Sequence, residues 1–362
     1  MPSSIASARP RRIPAMPRAA VPSTLQAALD PVWLGSVLDE FSGGKTVLAA
    51  DTVEVIRTVA TKVRFAVRFE GGETAHLCLK GLLDVDEPTA RGGPTCVLEA
   101  DFYGKVAPQC SVTVPEAVVT VIDREAQQAI TIMRDLIADG ASFCSALDPF
   151  TADDALLSLD QLARLHACSP LLAGADWIRP RAAQLAQMTY VTPEMLQELL
   201  DGPRGENLIA PVRNAGRLIA ALKALAARDA QRPQFVIHGD AHAGNVFRTP
   251  DGEGMGLIDW QLLQRGGWAL DLAYHLNAVL PSEVAETEER RLMGEYLAMM
   301  RGHGIAMPGE EAAWAQYRES VIYGYYLWSI TRRVDPPIIL QFVDRLGKAV
   351  MRHDSHALLG IV

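Results

Sequence analysis

The stretch of sequence that decides the architecture is Phe235-Val-Ile-His-Gly-Asp-Ala-His-Ala-Gly-Asn-Val-Phe247, followed at 255–260 by Met-Gly-Leu-Ile-Asp-Trp. A short apolar strand leads into His-Gly-Asp, and a second short strand leaves the loop after Asn245. An acidic, glycine-bearing turn at 251–254 closes a hairpin, and the returning strand ends at Asp259. Asp240, Asn245 and Asp259 are therefore expected to converge at one end of the hairpin.

Converging carboxylate and amide oxygens suit Mg²⁺, which takes one or two protein oxygens and completes its shell with phosphates and water. The remaining carboxylate can orient and deprotonate an attacking hydroxyl, as phosphoryl transfer requires. For any single Asp, a hydrogen-bonded hairpin with solvated acids is the simpler interpretation. The ordered set His-Gly-Asp-x4-Asn, then Ile-Asp-Trp after a hairpin-length gap, favours a functional site.

The first third of the chain has mainly strand patterns. Apolar residues alternate with mostly polar ones along 62–70, and Gly71-Gly72 then turns the chain into a second strand that carries Lys80. Glu99 lies on the helix that follows. The predicted elements are strands at 62–70, 74–82, 117–122 and 129–133, and helices at 24–38 and 95–106.

Helical patterns dominate after Asp139. The helices are predicted at 156–167, 214–227, 271–280, 286–301, 310–333 and 336–359. An aromatic stripe runs along the helix at 310–333, and its spacing of three and four residues favours a core position, with a substrate pocket as the alternative for part of it. The stripe consists of Trp314, Tyr317, Val321, Tyr325 and Trp328.

Several motifs together resemble the aminoglycoside phosphotransferase/choline kinase-like superfamily, and most of all its ecdysteroid-kinase-like branch of small-molecule phosphotransferases. They are His238-Gly-Asp240 with Asn245, Ile258-Asp-Trp-Gln261, Gly266-Gly-Trp-Ala-Leu-Asp-Leu-Ala-Tyr274 and Glu99-Ala-Asp-Phe-Tyr103. The resemblance implies an α+β, protein-kinase-like fold of two lobes, with an N-terminal antiparallel sheet lobe and a larger, mainly helical C-terminal lobe. The expected divisions are a leader at 1–27, a nucleotide-binding lobe at 28–138 and a catalytic and substrate-binding lobe at 139–362.

The resemblance also implies roles for individual residues. Asp240 is expected to be the catalytic base, and His238 to brace its loop. Glu87 is a second, weaker candidate for the partner of Lys80. The remaining assignments are Asn245 and Asp259 as Mg²⁺ ligands, Lys80 on the ATP phosphates with Glu99 as its ion-pair partner, and the backbone of Met133 and Arg134 on the adenine.

One segment departs from the kinase pattern. Residues 49–60, where a phosphate-covering loop is expected, contain no glycine. The choice between ATP and GTP is therefore left open.

The resulting functional prediction is an ATP- and Mg²⁺-dependent transfer of the γ-phosphate to a hydroxyl of a small molecule. The first alternative is an aminoglycoside or other antibiotic phosphotransferase. A polycationic substrate needs an acidic cleft, but the residues after 280 include 11 acidic and 9 basic ones. The alternative from another class, a nucleotide-binding pseudokinase, is disfavoured because Lys80, Asp240, Asn245 and Asp259 are all present.

Composition restricts the possible partners and cellular location of the protein. The chain of 362 residues has 34 Lys and Arg against 43 Asp and Glu, a net charge of −9 that disfavours a nucleic-acid partner. No apolar run is long enough to span a membrane. The five cysteines form no CxxC pair and predict reduced thiols in a cytoplasmic protein. Residues 1–29, basic and proline-rich, fit a flexible leader, with an organelle transit peptide as the alternative.

Overall fold

The computed structural model of the protein describes residues 20–362, so residues 1–19 of the predicted leader lie outside the described part. From residue 20 onward the chain contacts the N-terminal lobe. The indole Nε1–H of Trp33 donates to the carbonyl of Ala20 over 3.0 Å. In the described part, no helix combines the length and apolarity needed to cross a membrane.

A five-stranded antiparallel sheet forms the N-terminal lobe, with the strand order β1-β2-β3-β5-β4. The strands are β1 (Val47–Arg57), β2 (Thr61–Phe69), β3 (Thr74–Gly81), β4 (Ala117–Asp123) and β5 (Gln128–Arg134). Alternate residues of β2 are buried, as the sequence predicts, because period-2 alternation places them on one face. This face packs against the first helices of the chain.

Five short helices complete this lobe. The predicted helix at 24–38 is divided, because Pro31 starts a new helix whose N-cap is the carboxylate of Asp30. The helix that carries Glu99 continues after Asp101 as a π-helical turn over Phe102–Val106. The helices are α1 (Leu25–Ala28), α2 (Pro31–Val37), α3 (Asp39–Ser42), α4 (Glu87–Ala90) and α5 (Gly93–Asp101).

The C-terminal lobe is built from helices around one large apolar core. The aromatic stripe packs into this core, with Tyr317 and Tyr325 fully buried and Trp314 partly buried. The helices are α6 (Ala152–Ala167), α7 (Arg181–Ala186), α8 (Pro193–Asp201), α9 (Ala215–Asp229), α10 (Trp268–Val279), α11 (Ser282–Gly302), α12 (Glu310–Ile330), α13 (Pro336–His353) and α14 (Ser355–Leu358).

Two small sheets interrupt the helices and hold the loops between the lobes. One has the order β6-β8-β9 and the other pairs β7 with β10. The strands are β6 (Ser142–Phe143), β7 (Phe235–Ile237), β8 (Val246–Arg248), β9 (Met255–Leu257) and β10 (Gln264–Gly266). The predicted α+β, two-lobed, protein-kinase-like architecture is confirmed.

The prediction of five reduced thiols is wrong for one pair. Cys110 and Cys168 form a disulfide, with their Cα atoms 5.8 Å apart. Cys110 follows the helical segment after α5, and Cys168 caps the end of α6, so the bond joins segments that are 58 residues apart. Cys78, Cys96 and Cys144 are free.

Candidate functional site

A buried ion pair joins β3 to α5, as the sequence predicts. Lys80 Nζ lies 2.8 Å from Glu99 Oε2, and both side chains are almost fully buried. The same ammonium lies 2.8 Å from Asp259 Oδ1, which the returning strand delivers to the other side of the cleft. Glu87, the second candidate, is exposed on α4 and pairs with Arg91 instead.

Charge pairing and burial shift the pKa values of this cluster in opposite directions. Burial by itself would lower the pKa of Lys80, but Asp259 and Glu99 raise it above its ordinary value. Burial raises the pKa of Glu99 despite its pairing with Lys80. At Asp259 burial is outweighed by Lys80 and Lys62, which together hold the pKa of its carboxyl well below the usual range. Asp259 is therefore charged at neutral pH, with an ammonium group facing each of its carboxylate oxygens.

The backbone at Asp259 is left-handed, with φ 68° and ψ 75°, a conformation that is uncommon outside glycine. The next residue is fixed from two sides. The Trp260 backbone N–H donates to Glu99 Oε1 over 3.1 Å, and its ring stacks on Phe102 with 3.6 Å between centroids. Such strain persists where the surroundings hold it, and it points to a functional position.

The loop that carries Asp240 is held by buried hydrogen bonds. Asp271 accepts the backbone N–H of His238 over 2.6 Å and that of Gly239 over 2.8 Å. His238 Nε2–H donates to the carbonyl of Ile258 over 2.9 Å, so this histidine braces the loop, as predicted. Gly239 has φ +80°, and a Cβ there would lie 2.3 Å from the carbonyl oxygen of Leu262. Only glycine fits this turn.

Asp240 has a partner that sequence analysis missed. Its Oδ1 accepts a hydrogen bond from the Tyr274 hydroxyl over 2.9 Å, and Tyr274 in turn accepts one from Trp328 Nε1–H over 2.6 Å. Burial, followed by the charge of Asp259, raises the pKa of Asp240 to about 6. The one sequence feature that could have indicated this partner is the aromatic stripe. Its residue Trp328 belongs to the core and also bonds to Tyr274 at the site.

The donor set near Asp259 fits a magnesium ion. The Ile258 N–H donates to the Asn245 carbonyl over 3.0 Å, so Asn245 and Asp259 lie at the same end of the β8–β9 hairpin. Asn245 uses its Nδ2 on Asp240, and within residues 20–362 its Oδ1 accepts no hydrogen bond. Across the same residues no cluster of three or more His, Cys, Asp or Glu side chains has a metal-binding arrangement. A metal here would need phosphate and water as further ligands.

A cleft between the lobes is lined by Lys80, Glu99 and Asp259 at one end and by apolar side chains at the other. Met133 and Arg134 both line it, as does the hinge segment that follows β5. The Arg134 N–H is already used, because it donates to the Glu116 carbonyl over 2.9 Å. Leu136 N–H donates no hydrogen bond within the described chain, so the sequence prediction missed this available donor. The apolar lining includes Ile56, Cys78, Met133, Leu136 and Ile258.

The hinge is anchored to the sheet by a charge pair. Arg64 Nε lies 3.1 and 3.0 Å from the two carboxylate oxygens of Asp135, which is 2% exposed. Asp135 also accepts the backbone N–H groups of Ile137 and Ala138. The hinge turn is therefore held by an ion pair and two backbone hydrogen bonds where it lines the cleft.

The turn between β1 and β2 lies where a phosphate-covering loop is expected. It contains Thr58, Val59 and Ala60, and the Thr58 N–H donates to the Ala60 carbonyl over 3.1 Å. Just after it, Lys62 lies 3.6 Å from Asp259. A second ammonium thus faces the cleft from the strand that leaves the turn.

Comparisons with known proteins find a matching family and several solved structures of similar fold. Residues 55–316 match the model of a family described as the phosphotransferase enzyme family. The fold is similar to that of choline kinase LicA from Streptococcus pneumoniae, with 15% identity over 85% of this chain and 94% of that chain and a TM-score of 0.47. It is similar to that of a microcompartment-associated aminopropanol kinase, with 16% identity over 85% of this chain and 94% of that chain and a TM-score of 0.49. It is also similar to that of a macrolide 2'-phosphotransferase type I (16%, 81% and 88%, 0.47). A search of curated proteins found no significant match.

Proposed function

The chain belongs to the phosphotransferase enzyme family, and from this premise we propose that it transfers the γ-phosphate of ATP, bound with Mg²⁺, to a hydroxyl group of a small molecule. Family membership confirms the predicted superfamily and enzyme class. The ecdysteroid-kinase-like branch stays a prediction. We further propose that residues 28–138 bind the nucleotide and residues 139–362 bind the acceptor, in the cytoplasm.

The observation that carries the proposal is the proximity of two carboxylates with opposite pKa shifts, Asp240 and Asp259, the second of which raises the pKa of the first. Asp259 is held ionised by Lys80 and Lys62, which suits a metal ligand. The pKa of Asp240 is raised to about 6, and a base near the operating pH is well matched to proton transfer. When their environments shift the pKa values of two carboxyl groups apart in this way, the two groups are suited to different roles.

Each remaining group has a proposed task. Lys80, fixed by Glu99, would contact the ATP phosphates, and a preorganised positive charge there stabilises the charge that develops during transfer. Asn245 and Asp259 would hold Mg²⁺, which offsets phosphate charge. The adenine would meet the backbone at Met133 and Arg134, where the free Leu136 N–H adds a donor.

The acceptor side supports a small substrate with apolar character. Aromatic rings pack close to the Asp240 loop, since His242 lies 5.2 Å from Trp328 and 5.3 Å from Phe342, measured between ring centroids. Tyr274 adds a further ring, which contacts Asp240 directly through its hydroxyl. Rings of this kind favour an uncharged or weakly charged organic alcohol over a polycation, which needs several carboxylates.

The decisive experiment is a panel of alcohols, amino alcohols and antibiotics assayed for ADP formation with ATP and Mg²⁺. We expect one compound or a small group to stimulate ADP formation, and Asp240→Asn to abolish the stimulation. Calorimetric titration with Mg-ATP is the companion measurement. Absence of nucleotide binding would refute the proposal.

A further inference from the structure

A ring nitrogen of His242 faces a carboxylate oxygen of the proposed base, Asp240, without a hydrogen bond between them. His242 Nε2 lies 3.8 Å from Asp240 Oδ2, which is too long for a direct hydrogen bond. Both side chains reach solvent, with 16% and 25% of their surfaces exposed. A gap of this length between polar atoms is the place for a bridging oxygen.

The proton position on His242 follows from its other ring nitrogen. The Gly244 backbone N–H donates to His242 Nδ1 over 3.0 Å, so Nδ1 is an acceptor and carries no proton. The ring proton is therefore on Nε2, and the atom that faces Asp240 is a donor. Trp328 and Phe342 pack edgewise or tilted against the ring and fix its direction.

The two oxygens of Asp240 are not equivalent. An indole N–H can only donate, so the Tyr274 oxygen accepts from Trp328, and the Tyr274 proton is directed to Asp240 Oδ1. Oδ2 has only a long contact of 3.4 Å with Asn245 Nδ2. Oδ2 is therefore the oxygen left to accept a proton.

We propose that Asp240 Oδ2 and His242 Nε2–H together seat the acceptor hydroxyl, which makes His242 a substrate-positioning residue; this inference rests on the proposed function. An oxygen about 2.8 Å from both atoms fits across the 3.8 Å gap. The hydroxyl donates to Asp240 and accepts from His242, with one lone pair left for attack. That pair forms the new O–P bond, the bond from the γ-phosphorus to the bridging oxygen breaks onto ADP, and the proton passes to Asp240 Oδ2.

This seat, formed by Asp240 Oδ2 and His242 Nε2–H, also determines which functional group of the acceptor can bind there. A hydroxyl is both donor and acceptor, whereas an ammonium group has only donors and would leave His242 Nε2–H without a partner. A donor that loses water without gaining a partner weakens binding in that orientation. An amino alcohol therefore binds with its hydroxyl, not its ammonium, at Asp240.

The test uses Mg-ATP hydrolysis without any alcohol, in which water occupies the seat. We expect His242→Leu to reduce the hydrolysis rate about tenfold, the value of one lost hydrogen bond, while the Kd for Mg-ATP stays unchanged. His242→Gln keeps an N–H donor and should recover most of the rate. The same His-to-Leu change at His303, which is exposed at the end of α11, is the matched control and should have no effect.

The outcomes separate the two proposals. A His242→Leu rate equal to wild type, with Asp240→Asn impaired, would overturn the seat and leave the kinase function intact. Failure of the wild type to bind Mg-ATP would overturn the function itself. Long-range ¹H–¹⁵N spectra of the wild-type imidazoles decide the case independently of activity or variant folding. A proton on His242 Nδ1 would refute the inference, and a proton on Nε2 supports it.

Discussion

Replacing Lys80 by Met should destabilise the protein far more than a typical lysine substitution. Lys80 Nζ lies 2.8 Å from carboxylate oxygens of both Glu99 and Asp259, and its side chain is 5% exposed. Removing one member of a buried ion pair costs about 3–5 kcal/mol, because the partner charge stays buried without compensation. We expect a loss in this range, since two carboxylates are affected and Lys62 at 3.6 Å compensates only Asp259.

The assay is urea unfolding at neutral pH, with Lys62→Met as the matched control. Lys62 contributes to the same cluster but is 24% exposed and more distant, so its loss should cost at most about 1 kcal/mol. Combining Lys80→Met with Glu99→Gln should recover much of the loss, because the buried charge is removed together with its partner. Equal stability of the two single lysine variants would refute the reasoning.

The same variant has a predictable pH dependence. Burial already raises the pKa of Glu99, and removal of Lys80 raises it further. A carboxyl whose pKa is higher in the folded than in the unfolded state binds more protons when folded, so stability falls as pH rises. The deficit of Lys80→Met should therefore be larger at pH 8 than at pH 5. Its Kd for Mg-ATP should also rise by roughly tenfold or more, the value of a charge-assisted hydrogen bond.

Three further predictions concern the loop, the carboxylates and the disulfide. Asp240→Asn should keep Mg-ATP binding and lose about 10²–10⁴-fold in kcat, whereas Asp259→Asn should weaken Mg-ATP binding as well; equal binding losses in calorimetry would mean that base and metal ligand are misassigned. Gly239→Ala should cost roughly 1–3 kcal/mol in urea unfolding, because its Cβ would lie 2.3 Å from a backbone oxygen at φ +80°; wild-type stability and turnover would contradict the loop geometry. Thiol titration of the denatured, unreduced protein should detect three cysteines, and five after reduction of Cys110–Cys168; reduction should lower the free energy of unfolding by about 2–4 kcal/mol, and five thiols before reduction would exclude the bond.

Much of the site could be predicted because its determinants are local. The hairpin after Asn245 brings Asp259 back by chain geometry alone, and the alternation along β2 fixes which face of the sheet is buried. Lys80 and Glu99 follow from the order of a strand and a helix. In each case the partner lies within the reach of a regular element or a short turn.

The missed features depend on long-range packing. Tyr274 on α10 donates to Asp240, and Trp328 on α12 donates to Tyr274. These residues lie 34 and 88 positions after Asp240, and no periodicity encodes that approach. Strand β1 is mostly exposed at the edge of the sheet, so it lacks the alternation that identified β2. Cys110 and Cys168 meet because the segment after α5 packs on the end of α6, and a separation of 58 residues gives no pairing signal.

The position of Trp260 has a consequence for inhibitor design. Its ring is stacked on Phe102, its backbone N–H is bonded to Glu99, and its surface is fully buried. A compound that needs this aromatic side chain to swing out must break the stack and release the carboxylate that holds Lys80. Compound libraries directed at the space that the Trp260 side chain would leave should therefore give few hits against this protein. Compounds that fill the open cleft between Met133 and Lys62 are the better starting chemistry.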